Sequence, residues 1–215
     1  MSEIRLAELG KTVAARLKKT PGMQVVPGIG CEVYLLQSFL SPRECGGLIA
    51  MIDADRKPST VLATHYDPEF RTSESCDLDR WNPFVEAIDA RICTLMGLKP
   101  RQGETLQGQR YAVGQQFKAH HDYFHADQPY WEAERARGGQ RCWTAMIYLD
   151  QPASGGDTWF SNAGFRISPR TGMLLAWNNM DADGKPNPQT LHESVPVMAG
   201  IKNIVTKWYR ERFWF

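Results

Sequence analysis

The chain has 215 residues, 42% hydrophobic and 23% charged, enough for one sizeable core, and Lys+Arg 25 against Asp+Glu 24 leaves a formal net charge of +1. That balance excludes a strong field recruiting nucleic acid or an anionic membrane. The cysteines (Cys31, Cys45, Cys76, Cys93, Cys142) are odd in number and lack a C-x-x-C pair, which excludes a disulfide framework or a thiolate zinc site and points to a reducing, cytoplasmic setting.

Near the N-terminus, Leu6, Leu9, Val13 and Leu17 recur at helical spacing between lysines and arginines, predicting an amphipathic helix that ends at Pro21-Gly22. The segment lacks the apolar core and cleavage site of a signal peptide, and no apolar run reaches the roughly 20 residues of a membrane span. Val33 to Leu36 reads as a strand. Ser41-Pro42-Arg43-Glu44 is a capping box with proline at the first helical position, opening a helix that buries Leu48, Ile49 and Ile52.

Residues 57–80 are polar and turn-rich, as in a surface loop or irregular hairpin; a lid and an excursion without a role fit this stretch equally. Asn82-Pro83 then caps a helix whose Val85, Ile88, Ile92 and Leu95 face the core before Gly97 stops it.

Beyond Gly103 the texture becomes β: short apolar segments lie at 142–149, 155–160, 165–167, 173–177 and 203–209, with a short helix expected within 125–138. Helices followed by a run of strands predict an α+β chain with a sandwich or barrel. Asp181-Ala182-Asp183-Gly184 has its glycine too early for a calcium loop and reads as a tight turn.

Within the β half, Phe117-Lys118-Ala119-His120-His121-Asp122 reads as extended chain. Alternation then aims His120 and Asp122 at one point and turns His121 away. A second pair, His125-Ala126-Asp127, lies beside Gln128-Pro129, where the extended pattern has ended, so the first pair is preferred. An imidazole and a carboxylate are two thirds of a facial metal triad. Of the other histidines, His192 alone lies far enough along to come from another strand. A lone histidine there is more often a core residue, but Lys202 follows ten positions on, after a glycine turn, on a strand expected to run back beside it.

The ordered set of segments resembles the prolyl 4-hydroxylase family of Fe(II)- and 2-oxoglutarate-dependent dioxygenases, from about Gly28 to Trp208 and most densely from Gln109 on. The resemblance rests on Phe39-Leu40-Ser41 with Glu44-Cys45, on Tyr111 through Asp122, and on Gly138-Gly139-Gln140-Arg141, Thr144 and Tyr148-Leu149. Gly155-Gly156-Asp157-Thr158, Pro169, Gly172 to Leu175 and Trp177-Asn178 continue it to His192, Pro196-Val197, Gly200, Lys202 and Trp208.

It implies a double-stranded β-helix, or jelly roll, at 103–215, supported by N-terminal helices, with 1–20 a helical appendage of one domain spanning 1–215. It also implies that His120, Asp122 and His192 hold Fe(II), that Lys202 pairs with the distal carboxylate of 2-oxoglutarate, and that Tyr111 and Thr158 assist. Arg141 and Trp208 would face the substrate, a proline-containing protein or peptide, with O2 consumed, succinate and CO2 released, and ascorbate an optional reductant. Phe117, Trp143 and Trp177 are the expected apolar walls. The same chemistry on a free amino acid or small molecule, a non-catalytic jelly-roll sensor of metal or 2-oxoglutarate, and a zinc hydrolase are the rivals; the last leaves Lys202 and Tyr111 without a job. Arg210 falls where some relatives have a histidine near the substrate. The aromatic tail from Trp208 to Phe215 reads as a strand continuing into the core or as a dimer contact.

Overall fold

A computed structural model describes residues 2–27, 30–61 and 67–214. Gly28, where the family resemblance begins, His65 and part of the expected lid lie outside these residues. Helix α1 (Ser2–Lys18) buries Leu6, Val13 and Leu17. After it, β1 (Met23–Val25) pairs antiparallel with β2 (Val33–Leu36). The next helix, α2 (Pro42–Asp55), starts at the capping box: Ser41 Oγ accepts from the Glu44 amide at 3.3 Å, and the Glu44 carboxylate accepts from the Ser41 amide at 2.8 Å.

Two short strands, β3 (Lys57–Pro58) and β4 (Glu74–Asp77), pair with each other, so the polar stretch is an irregular hairpin at a sheet edge. Asn82 Oδ1 accepts from the Phe84 amide at 3.0 Å to start α3 (Pro83–Met96), and Gly97, left-handed at φ 68, ends it.

The β half comprises β5 (Gln107–Tyr111), β6 (Phe117–His120), the short α4 (Trp131–Ala136), β7 (Arg141–Tyr148), β8 (Ser154–Gly155), β9 (Thr158–Phe160) and β10 (Phe165–Ile167). After these come β11 (Leu174–Asn178), β12 (His192–Ser194), β13 (Val197–Ala199) and β14 (Lys202–Arg210). A large sheet runs β1-β2-β11-β7-β14-β5-β4-β3, a smaller one β10-β9-β12-β6, and β13 pairs with β8. The ladders are antiparallel, and the two main sheets pack as the layers of a jelly roll with helices behind the larger. The acidic motif at Asp181 is a turn, its carboxylate accepting from the amides of Asp183 and Lys185 at 2.9 Å.

Strand alternation divides the buried side chains between two cores. On β7, Trp143, Ala145 and Ile147 join α1, α2 and α3, whereas Met146 and Tyr148 join Trp177 and Phe160 between the sheets. Each large apolar side chain buried there contributes about 2–3 kcal/mol. Trp143 therefore does not wall the site: its parity turns it to the helices, where it sits 6.0 Å from the Tyr34 ring. Helix α1 shares that core through Leu6, Val13 and Leu17.

Candidate metal centre

His192 lies opposite His120 across the β12–β6 ladder, with ring centroids 4.4 Å apart. Cross-strand partners face the same side, so two distant histidines become neighbours. The chain leaves β6 after His120 and bends, which brings Asp122 between the rings: His120 Nε2 is 3.9 Å from Asp122 Oδ1, and His192 Nε2 is 3.9 Å from Asp122 Oδ2. One ligand atom from each of the three lies within 4.8 Å of the others, the one such group found among the described residues. Asp122 is thus placed by a bend and not by strand alternation, since β6 stops at His120. His121 turns away and stacks on Tyr123 at 4.4 Å, and neither His125 nor Asp127 joins the group.

The surrounding bonds prepare these three groups for a cation. His120 Nδ1 is 2.8 Å from the Lys118 carbonyl and His192 Nδ1 is 2.9 Å from the Thr190 carbonyl. A carbonyl only accepts, so each Nδ1 carries the proton and each Nε2 keeps its lone pair free toward Asp122. Burial, helped by the charge of His192, lowers the His120 pKa to about 3, so its ring is neutral at physiological pH. Burial also pushes the Asp122 carboxyl upward, but His192, His120 and Arg141 and the Thr144 hydrogen bond outweigh it and keep the group ionised. Thr144 Oγ1 donates to Asp122 Oδ2 at 2.7 Å and accepts from Asn179 Nδ2 at 3.0 Å. Two imidazoles held by their Nδ1 bonds and one oriented carboxylate are the donor set of a divalent iron site with an open face.

Lys202 stands on the opposite sheet. Its strand pairs with β5 and β7, and Lys202 is opposite Tyr111, so it does not run back beside the His192 segment as the spacing predicts. It instead faces that segment from across the fold: Lys202 Nζ donates to Ser194 Oγ at 2.8 Å and lies 5.0 Å from the Tyr111 ring centroid and 5.6 Å from that of Tyr148. The lysine is 0% exposed. Desolvation lowers its pKa to about 7 against the opposing pull of Asp157 and Asp150.

Tyr111 donates from its hydroxyl to Gln109 Oε1 at 2.8 Å, and Thr158 Oγ1 accepts from the Tyr148 hydroxyl at 2.7 Å. These side chains border one cavity together with the His120, Asp122 and His192 group, and Phe117 and Trp177 supply apolar wall. Gly155 lets β8 pair closely with β13: it has φ 75, and a Cβ there would lie 2.8 Å from the Met198 amide nitrogen.

Sequence reasoning missed Ser194, Tyr148 and the Thr144–Asn179 chain as site residues. Ser194 was within reach of it, being two positions beyond His192 on one strand face.

Beside His120 and Asp122 a cleft of about 510 Å³ opens, bordered by Arg141 and Trp208. Arg141 is no surface charge. It makes a bidentate pair with Glu104 at 2.7 Å and lies 4.2 Å over the Trp208 ring. The fully buried Arg210 bonds Glu104 at 2.9 Å and the Glu134 carboxylate of α4 at 2.8 Å. Arg71, from the segment before β4, reaches the same cleft over the Phe117 ring at 4.7 Å.

The 2OG-Fe(II) oxygenase superfamily matches residues 106–210. Prolyl 4-hydroxylase 1 of Arabidopsis thaliana is 32% identical over 201 residues, covering 84% of this chain and 69% of that protein. This chain belongs to the prolyl 4-hydroxylase family. Another relative, the Rattus norvegicus prolyl 4-hydroxylase subunit alpha-1, is 35% identical over 166 residues, which are 73% of this chain and 31% of that subunit. The viral collagen prolyl hydroxylase of Paramecium Bursaria Chlorella virus-1, solved with 2OG, superposes with a TM-score of 0.65 at 25% identity, covering 82% of this chain and 94% of that one. As a prolyl 4-hydroxylase family member the chain takes Fe(II), 2-oxoglutarate and O2, and the histidine tautomers and the buried Lys202, whose ammonium bonds the Ser194 hydroxyl, fit that metal and that dicarboxylate.

Proposed function

We propose that this chain hydroxylates a proline within a protein or peptide, using Fe(II), O2 and 2-oxoglutarate and releasing succinate and CO2. The observation that carries the reading is the placement of the His120, Asp122 and His192 group and the Lys202 ammonium on the borders of one cavity. When bound, the ferrous ion with its cosubstrates supplies the oxidative decarboxylation that drives hydroxylation of an unactivated C–H bond.

The residues have separate tasks. The carbonyls of Lys118 and Thr190 hold each imidazole in the ligating tautomer, and Thr144 orients the carboxylate. Lys202, desolvated among Tyr111, Tyr148 and Ser194, receives the distal carboxylate as a point charge, while Tyr111 and Thr158 offer hydroxyls close by. Phe117 and Trp177 exclude water from the reacting face. The open outer cleft with Arg141 and Trp208 on its wall favours a peptide over a free amino acid. The packing of α1 into the main core supports one domain over 1–215. The five unpaired thiols support a cytoplasmic setting, with ascorbate the proposed reductant. No helix among the described residues is long and apolar enough to cross a membrane.

Anaerobic addition of Fe(II) and 2-oxoglutarate is expected to produce a weak visible charge-transfer band, and proline peptide is expected to stimulate succinate release. Absence of the band in metallated protein rules out the oxygenase, and succinate release indifferent to peptide rules out this substrate class. His120→Ala is expected to abolish turnover and His125→Ala to preserve it; the reverse pattern reassigns the metal pair.

A further inference from the structure

The cleft has a rim that the chemistry above leaves unused. Strand β14 stops at Arg210 and the tail folds back: the Glu211 amide donates to the Gln140 carbonyl at 2.8 Å, the Arg212 amide to Gly138 at 2.9 Å and the Trp214 amide to Arg101 at 2.7 Å. This sets Trp214 in the cleft wall, with the Arg137 guanidinium 4.7 Å from its ring centroid. The first part of the tail therefore continues the strand, with Tyr209 in the core, and from Glu211 on it turns back along the segments at Gly138 and Arg101.

The carboxylates on the cleft walls are committed elsewhere. Glu104 and Glu134 are committed to Arg141 and Arg210, and Asp122 belongs to the metal group. Among the described residues no carboxylate pairs with Arg137 or Arg71, both of which border the cleft. Arg71 donates from its terminal nitrogens to the Thr60 carbonyl at 2.9 Å and to Gln107 Oε1 at 3.0 Å, and its Nε is buried without a hydrogen bond. An exposed cation without a carboxylate partner, as at Arg137, attracts an anionic group on a docking segment. An aromatic ring beside a cation also suits an extended segment carrying both proline and a carboxylate.

We propose that this rim selects proline segments with acidic flanking residues, Arg137 and Trp214 forming a subsite for the acidic flank. The inference rests on the hydroxylase reading and narrows its substrate class.

The test uses two peptides of equal length with a central proline, one flanked by glutamates and one by lysines. Peptide-dependent succinate release at low ionic strength is expected to favour the glutamate peptide in kcat/KM by about tenfold, a preference that shrinks as salt is added. Arg137→Glu, on an exposed rim where folding is not at stake, is expected to lower the glutamate-to-lysine ratio by at least about fivefold, and Trp214→Ala to lower it in the same direction. Equal use of the two peptides by the unaltered protein, or a ratio unmoved by Arg137→Glu, overturns the inference. Anisotropy of the same labelled peptides separates its failure from that of the hydroxylase reading. Equal binding sinks the inference, whereas glutamate-selective binding without succinate sinks only the hydroxylase.

Discussion

Lys202 is the residue whose environment makes the sharpest demand. Its folded pKa of about 7 lies well below that of an unfolded lysine, about 10.4. Between those values the unfolded chain binds more protons, so the lysine's burden on the ligand-free fold is full below about 7 and is relieved as pH rises toward 10.4. Cosubstrate binding runs the other way, because the distal carboxylate needs the ammonium. With Mn(II) in place of iron, calorimetry is expected to find 2-oxoglutarate bound roughly tenfold more weakly at about pH 8 than at about pH 6.5; a flat profile removes the lysine from the pocket. Lys202→Met keeps the bulk and removes the charge. It should leave the ligand-free melting temperature equal or higher while raising the 2-oxoglutarate requirement about a hundredfold. Thr144→Val deletes the hydroxyl that bonds Asp122 at 2.7 Å, and metal affinity measured by competition with a chelator is expected to fall about tenfold. The grouping of His120, Asp122 and His192 was legible because an ordered set of motifs carries it. Thr144 and Asn179 were not, because their role arises only when distant chain segments bring one hydroxyl against one carboxylate.

At the scale of elements, local signals held and pairing signals did not. The capping box at Ser41, the Asn82 cap and the Gly97 stop lie where adjacent residues alone dictate them. Trp143 and Lys202 were misplaced because face and neighbour depend on which strands pair, and β14 chose β5 and β7 over β12. The tail continues β14 through Arg210, with Tyr209 in the core, but its turn back at Glu211, Arg212 and Trp214 depends on backbone bonds to distant segments and was not legible. Arg210 ties β14 to α4 through Glu134 and to Glu104 beside Arg141. Replacing it with alanine strands the Glu134 carboxylate, and a loss of about 3–5 kcal/mol is expected, read in calorimetry as a melting temperature lower by about 10 °C. An unchanged melting temperature would show that the buried pair contributes nothing to the clamp.

Across the whole molecule, the jelly roll was legible as a run of short apolar segments, but not its division of labour. His120, His192 and, just past a strand end, Asp122 belong to the small sheet, while Lys202 rises from the large one. A dicarboxylate held at one end by the metal and at the other by Lys202, as proposed, would therefore be a tie between two layers that otherwise meet through apolar packing and a few side-chain hydrogen bonds. Such a tie should slow amide hydrogen exchange in β6 and β12 when 2-oxoglutarate is added to Mn(II)-loaded protein, beyond the effect of metal alone. Succinate retains the carboxylate for Lys202 and lacks the 2-oxo acid that chelates. On the proposed roles, the seam would be clasped by the cosubstrate and loosened, from the metal side, by its own product.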